Sequence, residues 1–451
     1  MKKKLVVIGG TAAGLSAASK AKRSLPELEI VVFEKTGYAS YGSCGLPYFI
    51  GGLIKRPDDL VQITVEDLRS KRGINVFLRH EVTHIDRQSR QLEVLELETG
   101  RVFTESYDQL VIASGARPVI PDIPGIKAEG VFTLRSVEDG IYIRAAVESG
   151  AKKALVIGAG LIGLELAEQL TERGCNVELI ESLPRLLPVL PPQFAQEVKD
   201  QLVKRGVGLH LGAAVKEILV KDGKAAAARL TDGSEIPADF VLVAAGVTPN
   251  TALAKACGLE LGLKESILTD AAMRTSDPSI WACGDCTQTI NLITGKPVYT
   301  PLGTVANKQG RVAGASIAGE KAGFPGVVLS QGCKVFDLYL AATGLTLEAA
   351  LAAGFAAAES SVIKGDKANY YPGSADNKIN LVFERKGGRI LGAQGIGSLS
   401  VAGRINLLAS GLTTGMTVAQ LNELDLVYTP AIAPVYDPLL IAASAALKFV
   451  E

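Results

Sequence analysis

An α/β fold with two parallel-sheet units and a trailing α+β segment is predicted by three observations. A strand, a glycine-rich turn, a helix and a second strand ending in glutamate occur twice, over residues 5–34 and 154–181. Two acid–strand–small-residue segments, 107–116 and 238–246, bracket the second unit and read as crossings between domains. After about residue 327 the pattern changes to longer strands and then two helices. Together these imply two Rossmann-like dinucleotide-binding domains, the second inserted in the first, followed by a third domain with no cofactor of its own. The expected divisions are 1–116 with 246–326, then 117–245, then 327–451.

In the first unit Leu5-Val6-Val7-Ile8 is a short strand running into Gly9-Gly10-Thr11-Ala12-Ala13-Gly14. A helical pattern spans Leu15–Leu25, and the next strand, Glu29–Phe33, ends at Glu34. Glycines there let the backbone approach a pyrophosphate at a helix N-terminus, and the acid receives ribose hydroxyls. Thr11 replaces the middle glycine of the usual pattern. The second unit fits the full pattern: Ala154–Ile157, then Gly158-Ala159-Gly160-Leu161-Ile162-Gly163, a helix from Leu164 to about Arg173, and Val177–Ile180 ending in Glu181. A carboxylate at Glu181 favours NADH over NADPH, and Arg185 nearby is the cation that would soften this preference. Two such sites mean two cofactors, FAD and NAD(P)H.

Ile280-Trp281-Ala282-Cys283-Gly284-Asp285-Cys286 supplies a further strand and an aspartate at the head of a later helix. Residues 332–344, 359–365 and 379–395 read as strands, with Arg385-Lys386-Gly387-Gly388-Arg389 as a hairpin turn, and helices follow near 399–411 and 417–423.

Composition narrows the class. Lysine plus arginine and aspartate plus glutamate number 47 each, without the basic footprint of a nucleic-acid binder. No apolar run reaches the roughly 18 residues of a membrane span. The basic start Met1-Lys2-Lys3-Lys4 leads only into Leu5–Ile8, which reads as a first strand rather than a signal peptide. Six cysteines in 451 residues are too few for a disulfide scaffold, and a cytoplasmic setting is expected.

Cys44 is the residue that carries chemistry. It lies in Ser40-Tyr41-Gly42-Ser43-Cys44-Gly45-Leu46-Pro47-Tyr48, and no second cysteine occurs within the next hundred residues. Beside a flavin, such a thiol holds two electrons only by pairing with sulfur or oxygen from outside the chain. Pro47 suits the first turn of a helix, which would place Cys44 ahead of a positive helix end and lower its pKa. Cys283 and Cys286 straddle Asp285, and no second cysteine pair completes a zinc site, so no metal is expected.

With Ala113-Ser114-Gly115-Ala116-Arg117-Pro118, Ala282-Cys283-Gly284-Asp285 and Ser43-Cys44-Gly45-Leu46-Pro47-Tyr48, the whole chain resembles the flavin disulfide reductases with a C-terminal dimerisation domain. Within them it resembles the single-cysteine subgroup: coenzyme A-disulfide reductases, NAD(P)H polysulfide or persulfide reductases, and NADH oxidases and peroxidases. The resemblance implies a homodimer. It also implies that Gly9, Gly10, Ala13, Gly14 and Glu34 bind FAD, with Asp285 on its ribityl chain. Gly158, Gly160, Leu161, Ile162, Gly163 and Glu181 should bind the nicotinamide dinucleotide, with Glu165 near the nicotinamide. Lys35, Val82, Ser114, Gly115 and Gly246 are further cofactor contacts.

Tyr428 is expected to reach the partner's active site, and Tyr370 and Tyr371 to line its substrate tunnel. Positions matching the family's coenzyme A contacts are Ser16, Lys20, Arg23, Ser40, Ser43 and Arg72. The guanidinium forks of Arg23 and Arg72 suit phosphates. Ser43 stands where some relatives have asparagine, and Tyr436 where a basic residue occurs. The two-cysteine members' second cysteine is here Phe49, and no histidine follows His210 to form their acid–base pair. The histidine that peroxidases and oxidases carry in the first turn is replaced by Thr11-Ala12-Ala13; the three histidines are His80, His84 and His210.

The expected function is an NAD(P)H- and FAD-dependent reduction of a coenzyme A disulfide, persulfide or polysulfide through Cys44. The alternatives are an NADH oxidase or peroxidase working through a Cys44 sulfenate, and a non-catalytic flavin redox sensor.

Overall fold

β-Branched runs buried on both faces build two parallel sheets in the computed structural model, which describes residues 3–451. Met1 and Lys2 of the basic start lie outside the described residues. The first sheet orders its strands Ile280–Ala282, Gln109–Ile112, Lys4–Ile8, Glu29–Glu34, Asn75–Leu78. The second orders them Gly208–Leu211, Asn176–Glu181, Lys153–Ile157, Phe240–Val243, Val131–Thr133. All neighbours in both sheets are parallel. The second sheet's strands all lie between the first sheet's Gln109–Ile112 and Ile280–Ala282, so one α/β unit is inserted in the other. The two chain crossings run side by side, Ala116–Pro118 pairing antiparallel with Val247–Pro249. Antiparallel three-stranded sheets branch from each unit, one over residues 80–106 and one over 215–237.

The C-terminal part is an antiparallel five-stranded sheet in the order Gln331–Val335, Leu338–Gly344, Ile390–Gly397, Asp376–Glu384, Ala357–Gly365. Helices Ser400–Thr414 and Pro438–Ala446 cover it, contributing Val401, Ile405, Leu408, Leu439, Ala442 and Ala443 to its core. The Arg385–Arg389 turn joins two adjacent strands, with Gly387 and Gly388 at φ 75° and 67°. The expected single strand over 332–344 is instead a hairpin, turned at Phe336, a non-glycine residue with φ 53°.

Helix Ala12–Ser24 packs closely on Gly303–Ile317: a Cβ on Gly310 or Gly314 would lie 2.3 and 2.4 Å from the Ala13 and Ala17 carbonyl oxygens. Asp285 does not head that helix. A short hairpin, Thr289–Ile290 with Pro297–Val298, intervenes before it starts at Gly303. Buried Gln309 still ties the two together, its Oε1 accepting from Gly284 N at 2.8 Å. Among the described residues no helix is long and apolar enough to cross a membrane, and no cluster of metal-ligating side chains occurs.

Candidate functional site

The two glycine turns are built alike. Gly9 and Gly158 both have φ +105°, and their amides donate to Phe33 O and Ile180 O at 2.8 Å. A Cβ on Gly14 would sit 2.0 Å from Gly9 O, and one on Gly163 1.9 Å from Gly158 O, so neither position accommodates a side chain. The acid beyond each turn is held the same way. Glu34 accepts from Gly10 N at 2.7 Å and Thr36 N at 2.9 Å; Glu181 accepts from Ala159 N and Leu183 N, both at 2.9 Å. Each carboxylate retains lone pairs for ribose hydroxyls.

Both helices start without a side-chain cap and without an acid in the first turn. A Cβ on Gly160 would meet nothing within 4 Å, and Ile162 beside it is exposed. Uncapped amides that donate to a pyrophosphate and a carboxylate that accepts from ribose hydroxyls are what a dinucleotide needs at each turn, and at the second the approach is also open. The residues present therefore fit FAD at the first turn and a nicotinamide dinucleotide at the second.

Other expected contacts are placed unequally. Gly115 and Gly246 are positive-φ turns at the crossings, φ 71° and 102°. Ser114 Oγ donates to Asn250 O at 2.6 Å, and Lys35 is exposed. Val82 is packed in the core, so its side chain cannot touch a ligand and only its backbone remains. Arg185 pairs with Glu348 at 2.6 Å, which engages the cation expected to relax the preference set by Glu181.

Cys44 lies in the 3-10 turn Ser43–Gly45 that opens directly into the helix Leu46–Ile50, with Pro47 in its first turn. Ser40, four residues upstream, is held at φ 52° by bonds to both sides, its N donating to Gly10 O at 2.8 Å and its O accepting from Gln62 N at 2.7 Å. The cysteine loop is thereby fixed to the first glycine turn.

The expected lowering of the Cys44 pKa is not found. Cys44 is exposed, yet desolvation by the surrounding protein and then the Glu165 carboxylate push its thiol up, against a smaller pull from the Ser43 hydrogen bond. A five-residue helix has too little aligned dipole to reverse that balance. Arg135 is the cation that opposes it, and it also pairs with Asp285 at 3.1 Å. Buried Cys283 and Cys286 are pushed up by desolvation, fitting structural thiols.

Helix Leu161–Glu172 packs against both Leu46–Ile50, the helix that follows Cys44, and the strand Gln331–Val335. Burial, then repulsion from Glu168, pushes the Glu165 carboxyl up to about 7, although Tyr48 donates a hydrogen bond to it. Glu168 is buried, pairs with Lys334 and accepts from Phe336 N at 2.8 Å. The folded protein thus holds the Glu165 proton between pH 4.5 and about 7, where the unfolded chain has released it. Stability contributed by this group is complete below that window and is lost as pH rises through it. We expect Glu165→Gln to remove this loss, so that the variant's melting temperature gains on the wild type's from the lower to the upper end of the window. The same variant should alkylate faster at Cys44, because a cause of the raised thiol pKa is gone. An unchanged alkylation profile would contradict the placement of Glu165 beside the sulfur.

Ser16, Lys20 and Arg23 fall on one face of helix Ala12–Ser24, but Lys20 is already engaged with Glu320 at 2.8 Å. Ser16 Oγ donates to Asn307 at 2.8 Å in a shallow cleft of about 350 Å³ that Thr304, Lys308 and Arg311 also line. Gly73 lies against the Lys22 side chain, so the helix ends bearing Arg23 and Arg72 adjoin. Tyr370, Tyr371 and Tyr428 are exposed on the C-terminal part, and the neighbouring Tyr370 hydroxyl pushes the Tyr428 phenol up.

Sequence reasoning missed Arg135, Tyr48, Glu168 and the Lys308–Arg311 pair. Glu168 had a signal, since it stands three residues from Glu165 on one helix face. Arg135 had none, because its site is assembled from the far-off Asp285 and Cys44.

The chain matches the family described as pyridine nucleotide-disulphide oxidoreductase over residues 3–310, and that family's dimerisation domain over 330–438. It is 37% identical over 452 residues to the NAD(P)H coenzyme A polysulfide/persulfide reductase of Pyrococcus horikoshii, covering 100% of this chain and 99% of that one. It is also 37% identical over 445 residues to an NADH oxidase of Methanocaldococcus jannaschii, covering 98% of each. The solved structure of an NAD-dependent persulfide reductase from A. fulgidus superposes with a TM-score of 0.95 at 41% identity, over 99% of this chain and 83% of that one.

Proposed function

The chain belongs to the pyridine nucleotide-disulphide oxidoreductases, FAD-dependent enzymes, and from that premise we propose that it reduces a coenzyme A disulfide, persulfide or polysulfide with NADH through Cys44. The observation that carries this reading is a single exposed thiol in a loop tied to the first glycine turn. All six cysteines are free, so the sulfur that pairs with Cys44 comes from a substrate. Free thiols throughout also suit a reducing, cytoplasmic setting.

Bound FAD supplies the two-electron relay between a nicotinamide and a sulfur. The chain's own residues then do four things. Gly9–Gly14 and Gly158–Gly163 hold the two pyrophosphates, with Glu34 and Glu181 on the riboses. Asp285 holds the ribityl chain, for which it must exchange its contact with Arg135. Cys44 rests in a mixed disulfide with coenzyme A or as a persulfide. Cleavage of that S–S bond by two electrons leaves the Cys44 thiolate directly, so the raised thiol pKa is no obstacle. That thiolate attacks the next disulfide and restores the resting state. Overall, one NADH and one proton convert one disulfide to two thiols.

The phosphates of coenzyme A are assigned to Arg23 and Arg72 at the adjoining helix ends, and to Lys308 and Arg311 in the neighbouring cleft, with Ser16, Ser40 and Ser43 along the path to Cys44. The flavin-binding part is taken as 1–116 with 246–326, the nicotinamide part as 117–245 and the interface part as 327–451. Homodimer formation is supported by exposed Val427, Ile432, Val435 and Tyr436, clustered near Tyr428 on the matched dimerisation domain. In the dimer, Tyr428, Tyr370 and Tyr371 face the partner's Cys44 and serve the departing thiolate.

A second reading, reduction of oxygen, is favoured by the relative named NADH oxidase. The assay that separates them follows NADH, free thiol and oxygen together. With coenzyme A disulfide, two thiols should appear per NADH without oxygen uptake. NADH consumption that tracks oxygen, with no thiol formed, would replace the disulfide reading with the oxidase one.

A further inference from the structure

Two irregular segments of the C-terminal part carry its exposed tyrosines: 366–375, with Tyr370 and Tyr371, and 424–437, with Tyr428 and Tyr436. Neither contains a helix or a strand to hold a hydroxyl in place, yet one buried side chain grips both. Arg404, on helix Ser400–Thr414, is 8% exposed. Its Nη2 donates to Asp366 O at 3.0 Å, at the root of the first segment. Its Nε and Nη2 also donate to the Asp437 carboxylate at 3.0 and 2.8 Å, at the end of the second. Its Nη1 donates to Ser400 Oγ at 2.6 Å, on its own helix.

The two segments are closed around this grip. Asp366 and Ala375 exchange backbone and side-chain bonds at 2.8 and 3.0 Å, which pinches off the first loop. Ala368 N donates to Pro430 O at 3.3 Å, joining the loops directly. Asp437 caps the helix Pro438–Ala446 through Leu439 N at 2.9 Å, so the far end of the second segment is rigid as well.

We propose that Arg404 is a positioning residue for the disulfide-reducing step, holding the Tyr370 and Tyr428 hydroxyls in register for the partner subunit's sulfur site. The inference rests on the reading of function above. A guanidinium suits the task because its planar fork meets a carboxylate with two nitrogens while a third bond goes elsewhere, which an ammonium cannot reproduce in the same geometry. The pair is also buried, so removing either partner leaves a charge without compensation and frees both loops.

The test uses the FAD-loaded dimer and the variants Arg404→Met, Arg404→Lys and Asp437→Asn; the last keeps a capping side chain and serves if Arg404→Met does not fold. Hydrogen exchange should quicken in 366–375 and 424–437 together while helix Ser400–Thr414 stays protected. That readout does not depend on the substrate. In steady state, kcat for coenzyme A disulfide should fall about tenfold to a hundredfold. The rate at which NADH bleaches the flavin and the sedimentation of the dimer should stay unchanged. Arg404→Lys should recover part of the loss.

Adding Tyr428→Phe to Arg404→Met should cost little more than the larger single change, because a misplaced hydroxyl has little left to lose. Unchanged exchange in either loop, unchanged disulfide turnover in a folded variant, or losses that multiply with Tyr428→Phe would each overturn the proposal. Wild-type protein that reduces no disulfide would instead remove the functional reading, while the exchange data still decide whether Arg404 joins the loops.

Discussion

Replacing Cys44 with serine is expected to abolish disulfide reduction and to leave NADH able to bleach the bound flavin. The hydroxyl is nearly isosteric with the thiol, and the residue is exposed in a 3-10 turn, so neither the loop nor the first glycine turn should move. What is lost is the sulfur that can be half of an S–S bond. No neighbour replaces it: Cys283 and Cys286 are fully buried, and the half-buried Cys333 has its thiol pushed up to about 12 by burial and then by the Glu165 and Glu168 carboxylates. Turnover with coenzyme A disulfide should therefore drop by about a thousandfold or more, as for other obligatory nucleophiles. Stopped-flow absorbance of the flavin should show the NADH-dependent phase intact. Serine variant protein that still forms two thiols per NADH would show that electrons leave by another route.

The second large effect is expected at Gly163. Its missing side chain is what lets helix Leu161–Glu172 approach the preceding turn, since a methyl would lie 1.9 Å from Gly158 O. Gly163→Ala must push that carbonyl away and with it the Gly158 turn, costing about 1–3 kcal/mol of local strain. The first unit has its own turn and its own acid and is untouched. The variant should thus purify with normal FAD content, lose NADH-driven bleaching by about a hundredfold, and retain disulfide reduction when dithionite replaces NADH. Equal loss of both dinucleotides would mean that the two units do not hold their cofactors independently.

These two expectations separate what was legible in the amino-acid sequence from what was not. Both glycine turns, both terminal acids and both crossings were readable because they are local: strand, turn, helix and acid follow within one stretch of chain. The Arg385–Arg389 hairpin was readable because Gly387 and Gly388 supply positive φ. The hairpin at Phe336 was not, because a bulky residue with φ 53° gives no turn signal. Helix Pro438–Ala446 was missed although Asp437-Pro438 is a capping pair, since a helix apolar nearly all round shows no periodicity.

The Cys44 thiol was misjudged for a related reason. The sequence shows a proline suited to a helix start; it does not show that the helix stops at Ile50, or that Glu165 arrives from another unit beside the sulfur. Arg404 and Asp437 likewise look unremarkable in the chain, and only the packing of the C-terminal sheet brings them together.

In the oxidised protein Cys44 is expected to carry a sulfur borrowed from outside the polypeptide. Peptide-resolved mass spectrometry of protein purified without reductant reads this directly, before and after one equivalent of NADH under anaerobic conditions. A disulfide-linked coenzyme A or an added sulfur on the Cys44 peptide, discharged by NADH, is the expected result. A Cys44 peptide that is a bare thiol in the oxidised protein and is unaffected by NADH would contradict it.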